Sequence, residues 1–122
     1  MQLVVVPRSG KINIKEVYMI SENSEIEALN ILRYWKASEQ LVQSILSMNV
    51  GESELQERIE LILQIDAKLK VMFNNPDNIY GFMSMPNNHH LLDGFTPLEL
   101  VDREGKAGLK ATLKLLKGMV SI

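Results

Sequence analysis

The chain has no cysteine in its 122 residues. That excludes a disulfide scaffold and any Cys-ligated zinc or iron–sulfur site. No apolar stretch approaches the roughly 18 residues of a membrane span. The run Leu3–Val6 has neither a basic residue ahead of it nor a small-residue cleavage site after it, so a secretory signal is not expected. Internal repeats and low-complexity segments are lacking. So are a nucleophile–base constellation, a phosphate-cradling glycine loop and a motif-placed pair of carboxylates, so an enzyme is not expected. A net charge of -2 gives no global pull toward nucleic acid. What remains is 46% hydrophobic and 23% charged, which places the chain among globular proteins rather than disordered ones. The length suits one domain, or a small domain with an appendage. Together these features predict a soluble, cytoplasmic chain.

The charge is unevenly spread. Residues 21–66 hold three bases (Arg33, Lys36, Arg58) against nine acids, a local net of -6. From Lys106 onward there are Lys106, Lys110, Lys114 and Lys117 and no acid, a net of +4. An acidic middle and a basic end can pack on each other or on a partner, while for either half alone a solvated helix face is the default.

Residues 3–6 and 12–20 are rich in Val and Ile around Pro7-Arg8-Ser9-Gly10, a pattern that predicts two short strands or an extended arm. Ser24-x-x-Glu27 is a capping box and predicts the start of the first clear helix, carried by Ile26, Leu29, Ile31, Leu32 and Trp35. Ser38 can cap a second, short helix through Leu41, Val42, Ile45 and Leu46. After a break at Asn49-Val50-Gly51, Ser53-x-x-Gln56 predicts the start of the longest helix, to about Phe73. Its Leu55, Ile59, Ile62, Leu63, Ile65, Leu69, Met72 and Phe73 cover more than one face, which predicts a central, buried position. Asn75-Pro76-Asp77 opens a short helix through Ile79, Tyr80, Phe82 and Met83 that stops at the turn Pro86-Asn87-Asn88. Thr96-Pro97-Leu98-Glu99 starts another helix, which breaks near Gly105. The last helix turns Leu109, Leu113 and Leu116 inward and its lysines to another side, with Gly118 as a stop before an apolar tail. The predicted fold class is therefore mainly α: a compact multi-helix domain with a short N-terminal extended arm or β-hairpin.

The stretch Glu57-Arg58-Ile59, Lys68-Leu69, Phe73, Asn75-Pro76-Asp77, Phe82-Met83, Met85-Pro86-Asn87, Leu92, Gly94, Thr96-Pro97-Leu98-Glu99-Leu100 and a closing amphipathic helix resembles the Xre/MbcA/ParS antitoxin family. Residues from about 57 to 117 are similar to its toxin-binding C-terminal domain, about half of the chain. The most specific pieces are the Pro86-Asn87 turn and Gly94-x-Thr96-Pro97-Leu98-Glu99-Leu100, with the spacing between them. Residues Ala28–Ser47 are a weaker match to the start of the family's helix-turn-helix region. The resemblance implies an antitoxin of a type II toxin–antitoxin system, which binds a RES-domain toxin of ADP-ribosyltransferase type and blocks its active site. Many members also bind their own promoter.

Two positions depart from the pattern. Phe82 stands where the family usually has Trp, and keeps an aromatic core anchor. More telling, only the nine residues Met48–Gln56 separate Ile45-Leu46-Ser47 from Glu57-Arg58-Ile59. A turn followed by a separate recognition helix does not fit there. The only candidate left is the start of the long helix, where Glu52, Glu54, Glu57 and Glu60 face a single Arg58. Such a surface repels phosphates. The expectation is a degenerate helix-turn-helix without DNA-binding residues. The organisation expected is an arm (1–22), helix-turn-helix-like helices (23–56) and a toxin-binding domain (57–122) continuous with them.

Candidate toxin-binding residues are Pro86, Asn87, Leu92, Gly94, Thr96, Pro97, Lys110, Lys114, Met119, Val120 and Ile122. Pro86, Asn87, Gly94, Thr96 and Pro97 each also have an architectural reason, in turn chemistry, backbone freedom or capping. The lysine row can equally be a solvated face, and the tail after Gly118 can pack back on its own domain. Met48, Met72, Met83 and Met85 are expected as core filler. His89-His90 chelates poorly, because neighbours in an extended chain point to opposite sides, so no metal is expected and no cofactor is implied. The expected partners are a cognate RES-domain toxin and a second copy in a homodimer, with no membrane. A DNA-binding autorepressor and an orphan dimerisation module are the competing readings.

Overall fold

Ser38, Asn75 and Thr96 each begin a helix in the computed structural model, which describes residues 14–87, 89 and 92–120, the side chains of 14–22, 48 and 120 excepted. The helices are α1 (Ile14–Tyr34), α2 (Glu39–Ile45), α3 (Glu52–Met72), α4 (Pro76–Gly81), α5 (Pro97–Glu104) and α6 (Lys106–Val120), with single 3₁₀ turns at Met48–Val50 and Phe82–Ser84. Among the described residues there is no strand, and the chain is a compact multi-helix fold. The caps are local chemistry. The Leu41 amide donates to Ser38 Oγ at 3.1 Å, and the Asp77 amide donates to Asn75 Oδ1 at 2.7 Å. At α5 the Glu99 amide donates to Thr96 Oγ1 at 3.0 Å while the Thr96 amide donates to Glu99 Oε1 at 2.7 Å, a complete capping box. Pro76 and Pro97 occupy the first turns, where the missing N–H has no partner to lose.

Helix α3 lies at the centre. Its Leu55, Ile59, Ile62, Ile65 and Leu69 are buried at steps of three and four, an inward stripe flanked by the half-buried Leu61, Leu63 and Met72. The helix packs against both α1 and α6. Around the stripe gather Ala28, Ile31, Leu32 and Trp35 of α1, Leu41, Val42 and Ile45 of α2, Leu98 and Val101 of α5, and Leu109, Leu113 and Leu116 of α6. One core therefore joins the segment before Glu57 to the segment after it. Truncating any of the Leu or Ile side chains among these to Ala is expected to cost about 2–5 kcal/mol. Tyr34 stacks on Tyr80 with ring centroids 4.9 Å apart, tying the end of α1 to α4. Asp66 is buried on α3 and pairs with Lys70 one turn on at 2.9 Å, and that carboxylate holds the Lys70 ammonium's pKa above the ordinary lysine value.

Several expectations are corrected. The expected second strand, 12–20, is helical from Ile14, and Ser24 sits inside α1 rather than at its start. The expected first strand, 3–6, lies outside the described residues. Helix α3 begins at Glu52 after Gly51, so Ser53-x-x-Gln56 is not its cap. Gly118 does not stop α6, which continues to Val120. Met83 is fully buried, but Met85 is 59% exposed and is not core filler.

At the α5–α6 corner the two helices meet backbone to backbone. Gly105, at φ 62°, is the single residue between the two helices, and three residues later Gly108 lets α6 touch the α5 backbone. A Cβ on Gly108 would stand 2.6 Å from the Leu100 carbonyl oxygen and 2.8 Å from Val101 Cα. An exposed helix-interior Gly→Ala change usually gains about 1 kcal/mol. Here the obstruction is backbone and does not yield, so overpacking outweighs that gain. Gly108→Ala is expected to destabilise the fold by about 1–3 kcal/mol, read as a lower urea midpoint with an unchanged slope.

Candidate functional site

Between Met85 and Thr96 the chain leaves helical structure and folds on itself. The Gly94 amide donates to the Asn87 carbonyl at 2.8 Å, and the Asn87 amide donates to the Phe95 carbonyl at 3.2 Å. These two bonds close the neck of a loop. Inside it, Asn87 Oδ1 accepts from the His89 amide at 2.8 Å, a side-chain turn of the type Asn favours. The Leu92 and Asp93 amides both donate to the His89 carbonyl at 2.8 Å, and the Phe95 amide donates to the Leu92 carbonyl at 2.9 Å. Asp93 and Gly94 sit at φ 50° and 87°. Gly94 takes that left-handed geometry without steric penalty, while Asp93 is among the few other residue types that tolerate it.

One side chain anchors the loop to the body. Leu92 is 2% exposed and packs with Leu100 of α5 and Leu115 of α6, with Phe82 and Ala111 at the margin. The loop thus has an apolar root in Leu92. Beside Asp93, which is also exposed, Met85 and Pro86 stand in solvent on one side of the neck and Phe95, 43% exposed, on the other. The Arg103 guanidinium lies over the Phe95 ring, 4.8 Å from its centroid, and fixes the ring's face toward α5.

The structure sorts the candidate residues into two groups. Leu92 and Pro97 are buried, Thr96 caps α5, and Asn87 and Gly94 close the neck; these build the site rather than present it. Pro86 is exposed at the loop, while Lys110, Lys114 and Met119 are exposed on α6, the helix whose Ala111 and Leu115 receive Leu92. The Val120 side chain and Ile122 lie outside the described residues. Sequence reasoning missed Met85, Phe95 and Arg103 as surface groups. The aromatic Phe95 between Gly94 and the Thr96 cap was the available signal, because a loop tip held by a cap seldom has room to bury a ring.

The start of α3 shows where the opposite charges went. Arg58 Nε donates to Glu54 Oε2 at 3.1 Å, and its Nη1 donates to the Ser44 and Ile45 carbonyls at 3.1 and 3.3 Å. Those carbonyls end α2 and would otherwise lack N–H donors inside the helix. Lys106 Nζ, from α6, donates to Glu54 Oε1 at 2.9 Å and Glu57 Oε1 at 2.8 Å. The acidic middle and basic end meet here within one chain. Hydrogen bonds from Lys106 and Arg58 hold the Glu54 carboxyl below its ordinary pKa, and Glu57 and Glu54 raise that of Lys106.

Compared with protein-family models, with curated proteins and with solved structures, the chain finds no match.

The ion network has a pH signature. A lowered Glu54 pKa contributes stability that is present above the ordinary carboxylate range and lost as pH falls through the folded-state value. A raised Lys106 pKa contributes stability that is present below the ordinary lysine range and lost as pH rises through the folded-state value. Lys106→Met is therefore expected to lower Tm modestly at neutral pH and low salt. The deficit should shrink on acidification through the carboxylate range and on adding salt; a deficit constant across both series would mean that Lys106 acts through packing alone.

Proposed function

We propose that the chain is a non-enzymatic protein-binding inhibitor: an antitoxin that docks on a RES-domain toxin and covers its NAD cleft. The observation that carries this reading is the hydrogen-bonded neck at Asn87, Gly94 and Phe95, beside which Met85, Pro86 and Phe95 stand in solvent. Apolar groups on an ordered segment lose little conformational freedom on binding, so more of their burial appears as affinity. The resemblance of residues 57–117 to the antitoxin family's toxin-binding domain supports the same surface. Exposed Lys110, Lys114 and Met119 extend it along α6.

Charge placement favours protein over DNA as the partner. The cations nearest the start of α3, Arg58 and Lys106, are engaged with Glu54, Glu57 and the end of α2. Glu52 and Glu60 stand exposed beside them. A duplex approaching this end of α3 meets carboxylates, and affinity for DNA rests on cations that neutralise phosphates.

The test is co-expression and pull-down with a RES-domain protein encoded beside this chain. Neutralisation with a stable complex is expected, and Phe95→Ala together with Met85→Ala should weaken binding by about 10- to 100-fold while leaving Tm close to that of the parent. Deleting Met119–Ile122 should weaken neutralisation as well. A parent chain that neither binds nor protects, or that shifts its own upstream DNA at nanomolar concentration with steep salt dependence, would overturn the reading.

A further inference from the structure

Asp93-Gly94 is the only place in the 122 residues where Asp or Asn precedes Gly. A side-chain carboxyl in that setting can close on the next amide, because glycine has no Cβ to obstruct the approach. Both residues are exposed, and among the described residues the Asp93 carboxylate makes no hydrogen bond or ion pair. We propose that Asp93-Gly94 is a self-modification site that converts to isoaspartate, and that the closed neck holds the reaction back until the loop opens. The inference is independent of the toxin-binding reading.

The reaction needs only water. The Gly94 nitrogen attacks Cγ of the protonated Asp93 carboxyl. The amide proton and the carboxyl hydroxyl leave together as water, and a cyclic imide forms. Water then adds to either imide carbonyl. Breaking the bond from Gly94 N to Cγ restores aspartate. Breaking the bond from Gly94 N to the backbone carbonyl carbon leaves the chain running through Cγ, with the former backbone carbonyl as the free carboxylate. Mass and formal charge are unchanged, and the backbone gains one methylene.

The fold opposes the first step at the nucleophile and at the peptide that must turn. Attack requires the Gly94 N–H to leave its acceptor, and that N–H is committed to the Asn87 carbonyl at 2.8 Å. Ring closure also requires rotation of the peptide between Asp93 and Gly94. On one side of it the Asp93 amide is tied to the His89 carbonyl at 2.8 Å, and on the other the Phe95 amide is tied to the Leu92 carbonyl at 2.9 Å. Buried Leu92 fastens the preceding residue to α5 and α6. Reaction therefore proceeds from the opened neck, and its rate follows the opened fraction. The added methylene shifts Gly94 and Phe95 out of register with Asn87, so a converted neck does not close again.

The test incubates the folded chain, a synthetic peptide of residues 85–98 and the Leu92→Ala variant at neutral pH. Isoaspartate is read as a chromatographic shift at unchanged mass with loss of cleavage by an endoproteinase that cuts before Asp. The peptide is expected to convert at least about tenfold faster than the folded chain, with Leu92→Ala between them while its helical circular dichroism is retained. Asp93→Glu, whose longer side chain closes poorly on the next amide, should give no product. Across a temperature series the parent's conversion rate should follow hydrogen exchange of the Gly94 amide, a comparison that needs no variant to fold. A parent that converts as fast as the peptide, a peptide that gives no product, a folded Leu92→Ala no faster than the parent, or conversion unrelated to Gly94 exchange would each overturn the proposal.

Discussion

Every other element depends on the inward stripe of α3. A helix with residues buried at steps of three and four offers one continuous apolar seam, and here α1 and α6 both pack on that helix while α2 and α5 fill the flanks. None of α2, α4 or α5 exceeds eight residues, and isolated helices that short are unstable in water. They persist because caps satisfy their free amides and because the α3 seam gives each a place to bury side chains. The seam also explains why residues before Glu57 and after it form one body.

Charge then works as a fastener rather than as a display. The acidic start of α3 sits where the C-terminal carbonyls of α2 and the first residue of α6 converge. Arg58 and Lys106 link all three elements through Glu54. Exposed ion pairs contribute little individually, but this one fixes the relative placement of three helix ends. That placement engages the two cations nearest the start of α3. Away from this network, Met85 and Phe95 stand exposed at the neck of the loop before α5.

Much of the architecture was legible from local chemistry. Ser38, Asn75 and Thr96 start helices because their side chains reach amides only two or three residues away, a bond that needs no tertiary contact. The Pro86-Asn87 turn and Gly94 were legible for the same reason. The misreadings have a common cause. Ile14–Ile20 is β-branched and short, and periodicity alone does not separate strand from helix in such a run. Ser24 and Ser53 have capping chemistry, but Ser24 lies deep inside α1, where amides are already bonded along the helix, and Ser53 lies one residue past the start of α3, whose cap position is Gly51. Gly118 costs a helix about 1 kcal/mol, too little to end one that is well packed over its preceding turns.

The sequence by itself determined the helical class, three of the helix starts, the central place of the long apolar helix and the residues that shape the loop, because each of these rests on contacts within a few positions along the chain. Only the tertiary structure decided that Leu92 and Pro97 are buried while Met85 and Phe95 are exposed, that Arg58 serves the end of α2, and that Gly108 is held against α5. Those outcomes depend on which distant surfaces meet, and burial is a property of the meeting rather than of either residue alone.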